Sequence, residues 1–155
     1  MENTDDPSRL RYVAGVDQQA GALAWQDIDG VRRVWLVTSR RTRRWVLPKG
    51  NIDFGMTPPE AAAQEAYEEA GLKGTTSSSA IGLYRVPKIR PPLIWTVEVS
   101  LFAIQVSEVL AAWQEEHQRE RRLVTIDEAA ELIFEEEIAD ILRSALPRLD
   151  TLTYQ

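Results

Sequence analysis

The segment from Thr57 to Gly71 carries a helix signal at both of its ends, and it constrains the fold more than any other part of the chain. Thr57, two prolines and Glu60 form an N-terminal capping pattern, in which the Thr and Glu side chains satisfy backbone N–H groups reciprocally. Five alanines follow, and Gly71 supplies a stop. The sequence therefore predicts a helix over residues 58–70.

Short apolar or alternating segments surround this helix and predict strands. They are Ala20–Trp25, Val31–Thr38, Trp45–Leu47, Ile81–Val86, Leu93–Val106 and Arg121–Thr125. Residues 73–79 are polar, and we expect them to be flexible. A second capping pattern at Thr125 opens a short helix to about Ile133, and an apolar face over residues 135–146 predicts a final helix. This order favours an α+β class with a mixed sheet over a doubly wound fold.

The length of 155 residues favours one domain. We expect an N-terminal arm at residues 1–14, a single domain at 15–150 and a C-terminal tail at 151–155. The absence of cysteine excludes disulfides, thiolate zinc sites and a Cys nucleophile, and the lone His117 excludes multi-His metal sites. Neither a signal-peptide core nor a membrane-length apolar segment is present, so we expect a cytoplasmic protein without membrane partners.

Three glutamates crowd one face of the predicted helix. Glu65 and Glu69 lie about 40° apart around the helix axis, and Glu65 and Glu68 about 60° apart. They occupy the last turns, where like charges repel and the helix dipole disfavours anions. A cation is therefore expected opposite this face, and carboxylate oxygens suit Mg²⁺ or Mn²⁺ better than zinc. A solvated or salt-bridged acidic face is the alternative.

Basic residues precede this helix in an otherwise acidic chain of net charge −6. Between Val31 and Gly50 the chain carries seven cations and no acid: Arg32, Arg33, Arg40, Arg41, Arg43, Arg44 and Lys49. A concentrated basic segment is compatible with a pocket for a small polyanion, and a solvated hairpin is the alternative. The backbone carbonyl of Gly50 is a candidate cation ligand. Carboxylates for a divalent metal beside arginines for anionic oxygens are the parts that phosphoryl chemistry needs.

From Gly50 onward the residues resemble the signature of the Nudix hydrolases, G-x5-E-x7-R-E-U-x-E-E-x-G-U, where U is a bulky aliphatic residue. The matching positions are Gly50, Glu65, Glu68, Glu69, Gly71 and Leu72. Three positions depart: Met56 replaces the first Glu, Gln64 replaces the Arg, and Ala66 stands at an aliphatic position. We interpret Met56 and Gln64 as a compensated pair, because losing both leaves no unpaired charge.

Further matches are similar to the diphosphoinositol polyphosphate phosphohydrolase-like branch. They are Ser39-Arg40, Arg44-Trp45, the run from Ala70 to Gly74, Trp113 and the helix start at Asp127. The resemblance implies a Nudix α/β/α sandwich and hydrolysis of a diphosphate linkage in a highly phosphorylated small molecule. Diphosphoinositol polyphosphates and dinucleoside polyphosphates are the leading substrate classes. The resemblance also implies Mg²⁺, with Mn²⁺ as a possible substitute, and is compatible with a homodimer.

The resemblance also assigns the site residues. Glu65, Glu68 and Glu69 are the expected catalytic residues and, with Gly50, the expected metal ligands; which Glu is the general base stays open. Glu115 or Glu116 is a candidate for a further acid. The expected substrate-binding residues are Arg40, Arg44 and Lys49; the two arginines are chosen for their position, since they flank the strand that leads to Gly50.

Two other functions remain open at this point. The departures at Met56 and Gln64 allow a degenerate, non-catalytic Nudix-fold sensor of phosphate ligands. RNA 5′-end processing is disfavoured because the acidic bulk of the chain lacks an extended basic surface for nucleic acid.

Overall fold

The computed structural model describes residues 9–155, and residues 1–8 of the expected N-terminal arm lie outside this part of the chain. Eight strands form one mixed sheet. They are β1 (Arg11–Ile28), β2 (Val31–Thr38), β3 (Trp45–Val46), β4 (Lys49–Asn51), β5 (Leu72–Thr76), β6 (Gly82–Arg90), β7 (Leu93–Val109) and β8 (Arg121–Thr125). The helices are α1 (Pro58–Ala70), α2 (Ile126–Leu132) and α3 (Glu136–Ala145), followed by a 3₁₀ turn at Leu146–Arg148.

The sheet is built around the parallel pair of β1 and β7, and its central order is β3-β2-β1-β7-β5. All other pairings are antiparallel: β4 pairs with β1, β6 with β7, and β8 with β2. Helix α1 packs on one face of the sheet, and α2 and α3 pack on the other. The predicted α+β class and the α/β/α sandwich are both confirmed.

The alternation of β1 explains why the two faces carry different cores. Ala20, Ala22 and Ala24 face α1, whereas Leu23 and Trp25 face the layer of α2 and α3. On the α1 face, alanines of the central strand β1 meet alanines of the helix, and larger residues such as Phe102 and Ile104 flank them. The contributing alanines of α1 are Ala61, Ala62, Ala66 and Ala70. Small residues on both surfaces let the helix approach the sheet closely, which holds its glutamates against the neighbouring strand β4.

Both predicted ends of α1 are confirmed. The Thr57 side chain accepts from the backbone of Glu60, and the Glu60 side chain accepts from the backbone of Thr57. Gly71 closes the helix in the left-handed conformation at φ 66°, which glycine adopts without a steric penalty. The predicted helix bounds are therefore correct, and so is the predicted position of the three glutamates in its last turns.

Two segments differ from the expectation. The prediction of a flexible segment is wrong for residues 73–76, which form β5 and pair with β7. Residues 11–14 of the expected arm form the start of β1, where Tyr12 pairs with Ile94. Neither segment has a clear apolar alternation. Both form strands because they pair with the long strand β7, and such long-range pairing leaves little local signal in the sequence.

The C-terminal tail also contacts the sheet. The backbone N–H of Gln155 donates to the carbonyl of Thr76, and the Trp25 indole donates to the hydroxyl of Tyr154 at 2.9 Å. Residues 151–155 therefore close one side of the core that holds α2 and α3. Within residues 9–155 no helix has both the length and the apolarity needed to cross a membrane.

Candidate functional site

A cleft of about 600 Å³ lies where α1, β4 and the connection between β7 and β8 meet. Carboxylates and cations line the same cleft. The acids are Asp53, Glu65, Glu68, Glu69 and Glu115, and the cations are Arg40, Arg41, Lys49, Lys88 and Arg119. The three glutamates that the sequence singled out are therefore brought together with Gly50, Arg40 and Lys49.

Glu65 lies directly against the backbone of β4. A Cβ at position 50 would collide with the carboxylate of Glu65, so a side chain there and this carboxylate cannot share the space. Burial raises the pKa of Glu65 to about 7, and the charges of Glu68 and Glu115 add to the rise. Glycine is therefore required at position 50 by the close approach of a carboxylate rather than by its own backbone conformation.

Glu69 is the most enclosed acid of the cleft, with 3% of its surface exposed. Burial raises its pKa to about 8, against the opposing charge of Arg119. Its Oε1 accepts from the backbone N–H of Lys49 at 3.4 Å and lies 3.5 Å from Nη2 of Arg119. Glu65 and Glu69 thus both have raised pKa values, chiefly because they are buried and also because each is close to the other's negative charge.

Glu68 has a partner within its own helix. The amide Nε2 of Gln64 donates to Oε1 of Glu68 at 2.8 Å. Gln64, which stands where the signature has Arg, thus still contacts one of the signature glutamates. The compensation between Met56 and Gln64 stays a prediction.

Glu115 reaches the cleft, whereas Glu116 does not line it. The backbone N–H of Glu115 donates to the carbonyl of Glu68, and the Trp113 indole donates to the carbonyl of Glu69 at 2.9 Å. These bonds fix the turn after β7 on the C-terminal end of α1. Glu116 instead lies 3.4 Å from His117, a side chain that is 91% exposed. The structure therefore places Glu115, but not Glu116, in the cleft, a choice that the sequence left open.

One of the three predicted substrate-binding residues, Arg44, does not line the cleft. Arg40 lines the cleft, and its Nη1 lies 3.9 Å from Oε1 of Glu115. Arg44 does not line it, because its guanidinium packs over the ring of Phe134 at 4.6 Å. The reason is a tight turn at residues 39–44, in which Arg43 adopts a positive φ of 57°. This turn places Arg40 and Arg44 on different sides of the hairpin.

Lys49 lies between the carboxylates and a second lysine. Its Nζ donates to Oε1 of Gln19 at 3.3 Å. Burial and the charge of Lys88 lower the pKa of Lys49. Lys88 comes from β6, and Arg41 from the turn after β2, so three separate segments bring cations to this part of the cleft.

Sequence reasoning missed four charged residues of the cleft: Arg41, Asp53, Lys88 and Arg119. Arg41 was counted in the basic segment but not chosen, and Asp53 lies in the loop before α1. Lys88 and Arg119 carry no local signal and reach the cleft through strand pairing and the turn before β8.

The donor set fits a divalent cation of the magnesium type. Its oxygens are hard ligands: the carboxylates of Glu65, Glu68, Glu69 and Glu115, and the backbone carbonyl of Gly50. Among residues 9–155 no three acidic or histidine side chains already converge into a preformed metal cage. Burial and the charges of neighbouring carboxylates raise the pKa values of Glu65 and Glu69, so positive charge placed beside them would stabilise their ionised forms. A bound cation would supply this charge.

Comparisons with known proteins agree with this geometry. A family model described as NUDIX domain matches residues 17–147. Nudix hydrolase 12, mitochondrial, from Arabidopsis thaliana is 32% identical over 130 residues, which cover 81% of this chain and 62% of that protein. The chain thus spans about six tenths of the length of that relative. Diphosphoinositol polyphosphate phosphohydrolase 3-alpha from Mus musculus is 26% identical over 135 residues, which cover 86% of this chain and 79% of that protein.

The fold also matches solved structures. The crystal structure of an Ap4A hydrolase from C. elegans superposes with a TM-score of 0.66 at 19% identity, over 87% of this chain and 99% of that chain. At this identity the likeness concerns the fold.

Proposed function

The chain belongs to the NUDIX domain family, and from this premise we propose that it is a divalent-metal-dependent hydrolase of phosphoanhydride bonds. The observation that carries the proposal is the cleft itself, in which five carboxylates, three of them from the signature, and five cations face the same space. A purely structural acidic face would be solvated, whereas Glu69 is buried beside Glu65. Retaining buried like charges costs stability, and such a cost is typical of functional sites.

The chain's own residues divide the work of hydrolysis between two sides of the cleft. Glu65, Glu69, Glu115 and the carbonyl of Gly50 would hold the cation, which supplies charge neutralisation and Lewis acidity when bound. A glutamate of α1 accepts the proton of the attacking water, and which of the three does so stays open. The phosphoanhydride P–O bond breaks as water adds to one phosphorus, and the products are two phosphorylated fragments. Arg40 and Lys49 orient the phosphate oxygens through charge-assisted hydrogen bonds.

We propose Mg²⁺ as the cation, with Mn²⁺ as a substitute, and a highly phosphorylated small molecule as the substrate. Two classes lead, diphosphoinositol polyphosphates and dinucleoside polyphosphates, since relatives and fold neighbours carry the corresponding names. The cations Arg40, Arg41, Lys49 and Lys88 support a polyanion. The cytoplasmic location and the homodimer stay predictions from the sequence.

The proposal is tested by following the phosphorylated products of a panel of substrates by ion-exchange chromatography, with Mg²⁺, with Mn²⁺ and with EDTA. The panel contains a diphosphoinositol polyphosphate, a dinucleoside polyphosphate and a nucleoside diphosphate linked to a sugar. We expect metal-dependent turnover that is higher on the first two than on the third. Saturable binding without turnover on any member would support the non-catalytic sensor instead.

Removal of the cleft arginines should weaken substrate binding more than turnover. We expect Arg40→Ala and Arg41→Ala each to raise KM about fivefold or more on a polyphosphorylated substrate, because remote contacts act mainly through binding. The effect should be smaller on a short diphosphate and should shrink as salt rises, since exposed charges are screened over about 8–10 Å. Steady-state kinetics at two ionic strengths measures this.

Arg44→Ala is the matched control for that measurement. It removes an arginine from the same basic segment, but one that contacts Phe134 rather than the cleft. We expect its KM to equal that of the wild type on every substrate. If the Arg40, Arg41 and Arg44 variants all keep the KM of the wild type, these arginines only solvate the hairpin.

A further inference from the structure

Arg119 occupies a position in the cleft that the hydrolytic assignment leaves unused. It lies in the turn between β7 and β8, and its backbone N–H donates to the carbonyl of Glu115 at 3.1 Å. Its side chain is only 10% exposed. A buried guanidinium beside candidate metal ligands needs an explanation, because a cation there opposes the binding of another cation.

The three nitrogen groups of this guanidinium contact three different elements. Nε donates to Oε1 of Glu115 at 3.0 Å, and Nη2 lies 3.5 Å from Oε1 of Glu69. Nη1 donates to the carbonyl oxygen of Thr38, at the end of β2, at 3.0 Å. All of its nitrogens therefore face the protein, which leaves Arg119 poorly suited to bind substrate phosphates as Arg40 can.

The backbone around Arg119 is held as firmly as its side chain. The N–H of Thr38 donates to the carbonyl of Glu120, and the N–H of Glu120 donates to the hydroxyl of Thr38. Arg121 donates to the carbonyls of Ala70 and Leu110 at 2.7 Å each. The guanidinium of Arg119 is thus fixed relative to the end of β2 and the end of α1 at the same time.

We infer that Arg119 is a positioning residue, which holds the carboxylates of Glu69 and Glu115 at a fixed separation before the metal binds. The inference rests on the proposed function, because it assigns these two carboxylates to the metal. Glu69 comes from a helix and Glu115 from a turn, and two buried carboxylates repel each other once both are ionised, unless a cation lies between them. The planar guanidinium of an arginine donates hydrogen bonds to two carboxylates in defined directions, whereas the ammonium of a lysine acts as a point charge.

The test compares Arg119→Gln and Arg119→Lys with Arg122→Gln, which changes an exposed arginine on β8. Mn²⁺ binding without substrate is measured by calorimetry. We expect both Arg119 variants to bind Mn²⁺ about tenfold more weakly or worse, as for residues that orient metal ligands, and Arg122→Gln to bind like the wild type. If Arg119 only neutralised charge, Arg119→Gln would bind Mn²⁺ more tightly and Arg119→Lys would match the wild type; either result overturns the inference.

A double-mutant cycle with Glu115→Gln identifies the group through which Arg119 acts. In the Glu115→Gln background we expect Arg119→Gln to weaken Mn²⁺ binding far less than tenfold, because one of its two targets has already lost its charge. Fully additive losses would contradict the proposed contact.

Stability measurements separate positioning from simple structural support. Loss of one partner of a buried pair should lower the metal-free Tm of Arg119→Gln by about 6 °C or more. A lower Tm with unchanged Mn²⁺ affinity would make Arg119 merely structural and would overturn the inference. If Arg119→Gln does not fold, Arg119→Lys decides by the same affinity criterion.

Glu65→Gln distinguishes this inference from the proposed function. If Mn²⁺ affinity depends on Glu65 but not on Arg119, only the present inference fails. If Mn²⁺ affinity depends on neither residue, the metal site itself fails.

Discussion

Glu65→Gln and Glu69→Gln should each lower kcat/KM about 100-fold or more at saturating Mg²⁺, while the fold survives. Each change removes a ligand charge and keeps the size of the side chain, so the loss comes from metal binding and not from packing. Glu116→Gln is the matched control, because it makes the same Glu-to-Gln change at an acid that lies near the end of α1 but does not line the cleft. Near wild-type turnover in both α1 variants would remove the site assignment.

The same two variants should be more stable than the wild type without metal, in a way that depends on pH. The folded pKa values of Glu65 and Glu69, about 7 and about 8, lie above the ordinary value of 4.5. Below pH 4.5 the folded and unfolded chains are both protonated, and these groups contribute nothing. As the pH rises from 4.5 to 8 the unfolded chain ionises first, so the wild type loses stability. The gain in Tm of the Gln variants should therefore be absent at pH 4.5 and largest above pH 8.

Thermal unfolding in EDTA across this pH range measures the difference. Adding Mg²⁺ should reverse the order, because the wild type gains stability from a bound ligand and the variants gain less. A Tm difference that does not change with pH would mean that the two carboxylates are solvated in the folded chain.

Gly50→Ala should lower kcat/KM about 100-fold and change the Tm by only a few degrees. A Cβ at this position would collide with Oε1 and Cδ of Glu65. The contacted atoms are the end of a flexible side chain, so Glu65 turns away at little cost to folding. A catalytic group displaced by about 1 Å costs on the order of 100-fold in rate.

The double variant with Glu65→Gln tests this reason directly. If Gly50 acts by leaving room for Glu65, Gly50→Ala should add little to the loss that Glu65→Gln already causes. Two results would contradict the proposed role of Gly50: losses in kcat/KM that multiply in the double variant, or wild-type activity in Gly50→Ala.

Much of the fold was readable from the sequence where the signal was local. The capping pattern at Thr57 and the stop at Gly71 gave both ends of α1, and the alternation of β7 and the second cap at Thr125 gave elements that the structure contains. The long-range signals were harder to read. Residues 72–76 form a strand only because β7 extends far enough to pair with them.

The sequence alone determined which side chains share the helix face, because the helix period places Glu65, Glu68 and Glu69 together wherever the helix lies. Only the tertiary structure decided what lies opposite that face. Chain distance contains no information about which loop meets the end of α1, so the choice of Glu115 over Glu116 and the contacts of Arg119 with Glu69 needed the docked turn after β7. Likewise, the turn at residues 39–44 directs Arg40 into the cleft and Arg44 onto Phe134, because backbone direction and not composition decides where a long side chain ends.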